Sequence, residues 1–186
     1  MLWTLPNVLT WMRIVAIPLV VMLYYLPFQW SDPAAGLLFA AAGITDSLDG
    51  YYARKLGQTS RLGAFLDPVA DKLIVAVALV LLVSKDPRIV VVITAAIIIG
   101  REIAISALRE WMAELGQRTK VAVSPLGKLK TILQIVGLSM MLYRWDLFGL
   151  PMYSLGLLLT AIAAVLTLIS MVDYLRAAWP DLKGAA

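Results

Sequence analysis

The sequence contains no cysteine and no histidine. That excludes a disulfide framework, a thiol nucleophile, an imidazole base and the usual zinc sites, all of which draw on those two side chains. Charge is scarce too: 15% of residues are charged and 61% are hydrophobic, where a soluble domain carries roughly a quarter and a half. The long apolar runs, LIVAVALVLLV at 73–83 and IVVVITAAIIIG at 89–100, lack the alternation that a lipid-facing strand needs, so a β-barrel is excluded. A signal-peptide pattern is also missing. The first basic residue, Arg13, lies inside the first apolar stretch, no small-residue cleavage site follows, and the stretch reads as an ordinary first membrane helix.

What remains is the composition of an all-α, polytopic membrane protein, with a mean hydropathy of +0.86. A helix needs about 20 residues to cross the hydrocarbon core. Six spans are predicted at 8–28, 35–54, 64–84, 88–109, 122–144 and 150–175, separated by polar or Pro/Gly-containing breaks. They consume most of the chain, so 1–186 is expected to be one membrane domain.

Basic residues set the expected orientation. The segments after the second and fourth spans, with the C-terminal tail, hold Arg54, Lys55, Arg61, Arg109, Arg118, Lys120, Lys128, Lys130, Arg176 and Lys183, against Lys85, Arg88 and Arg144 on the other side. The positive-inside bias then puts both termini in the cytoplasm. The net charge of +4 suits anionic headgroups and phosphorylated substrates. No contiguous basic patch argues for nucleic acid.

Against this background the stretch DSLDGYYARKLGQTSRLGAFLDPVAD, residues 46–71, stands out. Asp46 and Asp49 lie three apart near the end of the second helix, and Asp67 and Asp71 lie four apart at the start of the third. Each pair shares a helix face, and a short connection lets the two helices pack antiparallel. An aspartate at membrane depth costs up to about 2.5–3.5 kcal/mol, and clustered carboxylates raise one another's pKa. Hard divalent cations would offset both penalties. An all-oxygen site suits Mg²⁺ where phosphates supply further ligands. Gly50 and Ala53 leave room for a bulky ligand, Arg54 can pair with a phosphate, and Gly63 continues the Asp67–Asp71 stripe. Pro68 fits either a first turn capped by Asp67 or a mild kink.

Written as a pattern, the stretch is D-x2-D-G-x2-A-R-x8-G-x3-D-x3-D. It resembles the signature of the CDP-alcohol phosphatidyltransferase family, with every fixed position filled. The resemblance implies a six-helix membrane fold, a CDP-linked lipid donor, two divalent metals (Mg²⁺, with Mn²⁺ as a substitute), and an alcohol that displaces CMP. By position, Asp46, Asp49, Asp67 and Asp71 would hold the metals and Asp71 would be the general base. Gly50, Ala53, Arg54, Ser60 and Gly63, with Asn7 and Thr10 of the opening LPNVLTWMRI, would line the nucleotide and diphosphate site.

Three further regions bear on the acceptor: LPNVLTWMRI (5–14), GREIAISALREWMAEL (100–115) and SPLGKLKT (124–131). They add cations on one side, which suits an acceptor that carries its own phosphate. All three resemble the bacterial branch of the family that uses sn-glycerol 3-phosphate as acceptor and CDP-diacylglycerol as donor. Arg101, Arg109, Lys128, Lys130 and Thr131 are the expected acceptor-phosphate residues. The branch also implies a bacterial inner-membrane homodimer with its active site facing the cytoplasm. The small residues at 34–36 and 40–43 lend the dimer weak support. The alternatives are an inositol phosphate or phosphatidylglycerol acceptor, or, from a different class, a cation transporter. A transporter would be expected to show internal repeats or helices broken at mid-membrane, and no such repeat is found.

Overall fold

The long apolar runs become helices because a chain in hydrocarbon must satisfy its own backbone hydrogen bonds. A computed structural model describes residues 5–56, 61–114 and 125–184, with side chains at 8–45, 63, 65–114, 129–176 and 179. Six helices follow one another: α1 Leu5–Tyr25, α2 Ser31–Leu56, α3 Arg61–Lys85, α4 Ile89–Glu114, α5 Pro125–Tyr143 and α6 Met152–Gly184. Each coincides with one expected span. Among the described residues, Val8–Tyr25, Ile89–Glu114 and Met152–Arg176 are long and apolar enough to cross a membrane. Within the described residues α5 contributes a shorter apolar stretch, Leu129–Tyr143.

The largest overruns of the expected spans are at the C-terminal ends of α4 and α6. α4 continues to Glu114 and α6 to Gly184, because polar sequence ends an apolar span without ending a helix. α3 begins at Arg61 and runs through Pro68. Pro68 is therefore an interior proline that removes one helical hydrogen bond, and the first-turn alternative falls away.

The bundle keeps a hydrophobic core but also buries polar groups and exposes many large apolar side chains. Thr10, Arg13, Thr94, Arg101, Lys130, Gln134, Thr160 and Ser170 are buried, while Trp11, Met12, Val15, Ile93, Ile103, Leu158 and Ile169 are exposed. Lipid tails are as apolar as these side chains, so association rests on close packing. α5 packs most extensively on α6, and α1 on α2. A Cβ placed on Gly156 would lie 2.6 Å from the Gly137 carbonyl oxygen, so the α5 and α6 backbones touch there. Gly36 and Gly43, read in the sequence as dimer support, instead abut Tyr143 and Ile135 of α5 within the chain. The central core joins Val20 and Tyr24 of α1, Phe39 of α2, Leu79 and Leu82 of α3, Ile98 of α4 and Leu142 of α5.

Side-chain bonds show which helix ends meet. Tyr25 bonds Ser84 at 3.2 Å, Lys85 Nζ donates to the Tyr24 carbonyl at 2.6 Å, and the Tyr153 hydroxyl donates to Asp86 at 2.5 Å. That end therefore gathers the end of α1, the α3–α4 turn and the start of α6. The starts of α1, α3 and α5 and the ends of α4 and α6 gather at the other end, which holds the aspartates.

Candidate active site

Asp67 and Asp71 are one turn apart on α3 and project into the same cavity, as their spacing predicts. Thr10 Oγ1 donates to Asp67 Oδ1, and Arg13 Nη1 donates to Asp71 Oδ1. Both donors come from α1 and are 1% exposed. Arg13 is paired because an unpaired cation at that depth would be costly. It meets a carboxylate that is itself 38% exposed toward the cavity. Thr10 and Arg13 are three apart on α1, so one helix face reaches both aspartates.

The cavity measures about 350 Å³. Its other polar walls are Lys72, Glu102, Arg109, Thr131 and Gln134. Arg109 and Thr131, two of the expected acceptor residues, thus share a cavity with Asp67 and Asp71. Arg109 also lies over the Tyr174 ring at 5.5 Å. Arg101 and Lys130 sit beside this space and meet Glu102: Arg101 Nη1 donates to Glu102 Oε1 at 2.6 Å, and Lys130 Nζ lies 3.7 Å from the same oxygen. Gly63 is buried on the stripe that leads to Asp67. Asp46, Asp49, Gly50, Ala53 and Arg54 fall in the last turns of α2. Their side chains, with those of Asn7, Ser60 and Lys128, lie outside the described residues.

Four wall residues escaped the sequence reading of the site. Arg13 has no site role assigned from the sequence, yet a basic residue one helical turn after Thr10 inside an apolar run already signals a buried partner. Glu102 lies in GREIAISALREWMAEL with no role assigned from the sequence, although an acid at membrane depth carries the same signal. Lys72 lines the cavity as well, and its Nζ donates to Ser106 Oγ at 2.5 Å. Gln134, 7% exposed, carries no sequence signal beyond its polarity.

A second space, about 450 Å³, opens between α3 and α4. Val69, Leu73, Ile99 and Ile103 make it apolar, and it shares Pro68, Lys72, Val75 and Glu102 with the first. A charged cavity against an apolar one suits a ligand with a polar head and a hydrocarbon tail.

The described part of the donor set fits a hard divalent metal. Asp67 and Asp71 offer carboxylate oxygens from one helix face, with no softer donor beside them. Among the described residues no three acids come together; the other two aspartates of the pattern lie outside them.

Comparison with known proteins bears on the chemistry. The sequence profile of the CDP-alcohol phosphatidyltransferase family matches residues 3–172. The CDP-diacylglycerol–glycerol-3-phosphate 3-phosphatidyltransferases of Shigella flexneri serotype 5b (strain 8401) and Escherichia coli (strain K12) are each 50% identical over 182 residues, covering 98% of both chains.

Proposed function

This chain belongs to the CDP-alcohol phosphatidyltransferase family, and from that premise we propose that it transfers the phosphatidyl group of CDP-diacylglycerol to sn-glycerol 3-phosphate. The products are phosphatidylglycerophosphate and CMP. One observation carries the reading: Asp67 and Asp71 share a cavity with Arg109, beside the buried cations Arg101 and Lys130. A reacting diphosphate and a phosphorylated acceptor need that combination of carboxylates and cations in one place.

Asp46, Asp49, Asp67 and Asp71 would hold two divalent ions, of which Mg²⁺ best suits the oxygen donors. Bound there, such ions would supply positive charge to offset the diphosphate and the charge that develops on the leaving CMP. Asp71 takes the proton from the acceptor hydroxyl, and Arg13 holds the carboxylate in place while it does so. Gly50, Ala53, Arg54, Ser60 and Gly63, with Asn7 and Thr10, line the nucleotide and diphosphate. Arg101, Arg109, Lys128, Lys130 and Thr131 hold the acceptor phosphate, where guanidinium groups give two-point recognition. The apolar space beside the cavity supports a lipid donor, whose acyl chains stay in hydrocarbon while its head reacts.

The proposal includes six membrane spans in a bacterial inner membrane, with both termini and the aspartate end cytoplasmic. The positive-inside bias supports that orientation. It also includes a homodimer, for which the family resemblance is the support.

The test is CMP release by purified protein given CDP-diacylglycerol and labelled glycerol 3-phosphate. Release in Mg²⁺ and none after chelation is expected. No release in Mg²⁺ would refute the enzyme reading; release with inositol phosphate or phosphatidylglycerol alone would refute only the acceptor.

A further inference from the structure

Glu102 sits where an acceptor phosphate would have to pass. Arg101 and Lys130, from α4 and α5, are 6% and 7% exposed, and the same Glu102 oxygen meets both. Arg101 is fixed from behind, with its Nη2 donating to Ser170 Oγ at 3.3 Å and its guanidinium 5.9 Å from the Tyr174 ring centre. Glu102 itself forms part of the cavity wall. Among the described residues, the wall therefore presents Arg109 and the Glu102 carboxylate, and the further cations Arg101 and Lys130 lie beyond Glu102.

A phosphate dianion that moves past Arg109 toward Arg101 and Lys130 meets a like charge at Glu102, at a site where solvent screening is weak. To reach Arg101 and Lys130 it must displace the Glu102 carboxylate. A carboxylate only accepts hydrogen bonds, so once displaced it needs donors, or it bears the cost of a desolvated, unpaired charge. A phosphorylated polyol supplies those donors. One hydroxyl attacks the donor lipid, and a neighbouring hydroxyl remains to donate to Glu102. An anion without hydroxyl protons supplies none.

We propose that Glu102 is a specificity-determining residue for the acceptor: it occupies the Arg101–Lys130 pair when the site is empty, and it admits phosphate esters that bring a free hydroxyl while excluding bare tetrahedral anions. The inference rests on the reading that Arg101 and Lys130 hold the acceptor phosphate. It reaches further, because it assigns the selectivity to an acid that would otherwise count as a mere counter-ion.

Sulfate is a suitable probe, being a tetrahedral dianion with no proton to donate. Its inhibition constant against glycerol 3-phosphate is measured at constant ionic strength for the full-length protein and three variants. In Glu102→Gln the charge is gone and the shape is kept, so sulfate should inhibit at least tenfold more strongly. Glu102→Ala should shift sulfate inhibition the same way, and it serves if the glutamine variant folds poorly. Glu102→Asp keeps the charge and should exclude sulfate as the parent does. Unchanged sulfate inhibition in both neutral variants, or an equal shift in the aspartate variant, would overturn the proposal. Arg101→Gln separates the two layers. If it leaves the KM unaltered, the acceptor-phosphate reading fails. If it raises the KM at least tenfold while Glu102→Gln leaves sulfate inhibition unchanged, only the role of Glu102 fails.

Discussion

Replacing Arg13 with methionine keeps most of the side-chain length and removes the guanidinium that donates to Asp71. A hydrogen bond to a charged group contributes about 1.5–3 kcal/mol, and removing one partner of a fully buried ion pair costs about 3–5 kcal/mol. Arg13 is 1% exposed but Asp71 is 38% exposed, so water reaches the orphaned carboxylate and the lower range of about 1.5–3 kcal/mol applies. If that interaction aligns Asp71 for proton transfer, its loss falls on the transition state. At about 1.4 kcal/mol per factor of ten, kcat should drop roughly 10- to 150-fold. The assay is steady-state CMP release in detergent, with glycerol 3-phosphate varied and the melting temperature recorded alongside. The KM for glycerol 3-phosphate should stay within about threefold of the parent, because Arg13 is not among the acceptor residues. Arg13→Lys keeps the charge but loses the forked donor geometry, and should recover part of the lost rate. Activity of Arg13→Met within threefold of the parent, or a loss confined to KM, would refute the reasoning.

Three other outcomes follow from the same geometry. Arg109→Gln should raise the KM for glycerol 3-phosphate at least tenfold and spare kcat, the signature of lost ground-state binding; an unchanged KM would remove Arg109 from the acceptor site. Gly156→Ala puts a methyl 2.6 Å from the Gly137 carbonyl oxygen and 2.9 Å from the Met141 nitrogen. Overpacking of that kind costs about 1–3 kcal/mol, so the melting temperature in detergent should fall, and an unchanged value would mean that α5 and α6 do not touch there. At the opposite end, the Arg88 guanidinium bonds Asp86 at 2.9 and 2.7 Å and holds its carboxyl well below the usual range; burial opposes the shift and the Tyr153 hydroxyl adds to it. A depressed carboxyl contributes stability above its unfolded pKa of about 3.9 and loses it as pH falls toward the folded value. The stability difference between the parent and Asp86→Asn should therefore hold steady above about pH 5 and shrink below pH 4; a difference independent of pH would contradict the shift.

Much of the fold was legible because membrane helices are specified by local apolarity, and all six helices overlap their expected spans. Their ends were less so, since α4 and α6 continue as helix after the apolar run stops. The interior position of Pro68 depended on where α3 begins, in a polar segment whose local signals allow either use of the proline. At the site, Asp67 and Asp71 were legible from i,i+4 spacing alone. Thr10 was expected at the site, but the pairing of Arg13 with Asp71 was not legible, because it requires α1 to dock parallel to α3, and no local pattern encodes which helices become neighbours. Glu102 was hidden for a similar reason. Its chain neighbour Arg101 was visible, but Lys130 comes from α5, and only the packed bundle brings the three charges together.

The central claim is that the cavity around Asp71 carries out phosphatidyl transfer. Asp71→Asn tests it most directly, since it keeps the shape and removes the basic carboxylate. CMP release from CDP-diacylglycerol and glycerol 3-phosphate in Mg²⁺ should fall to background, with the melting temperature in detergent close to that of the parent. Release near the parent's rate from the folded variant would contradict the account.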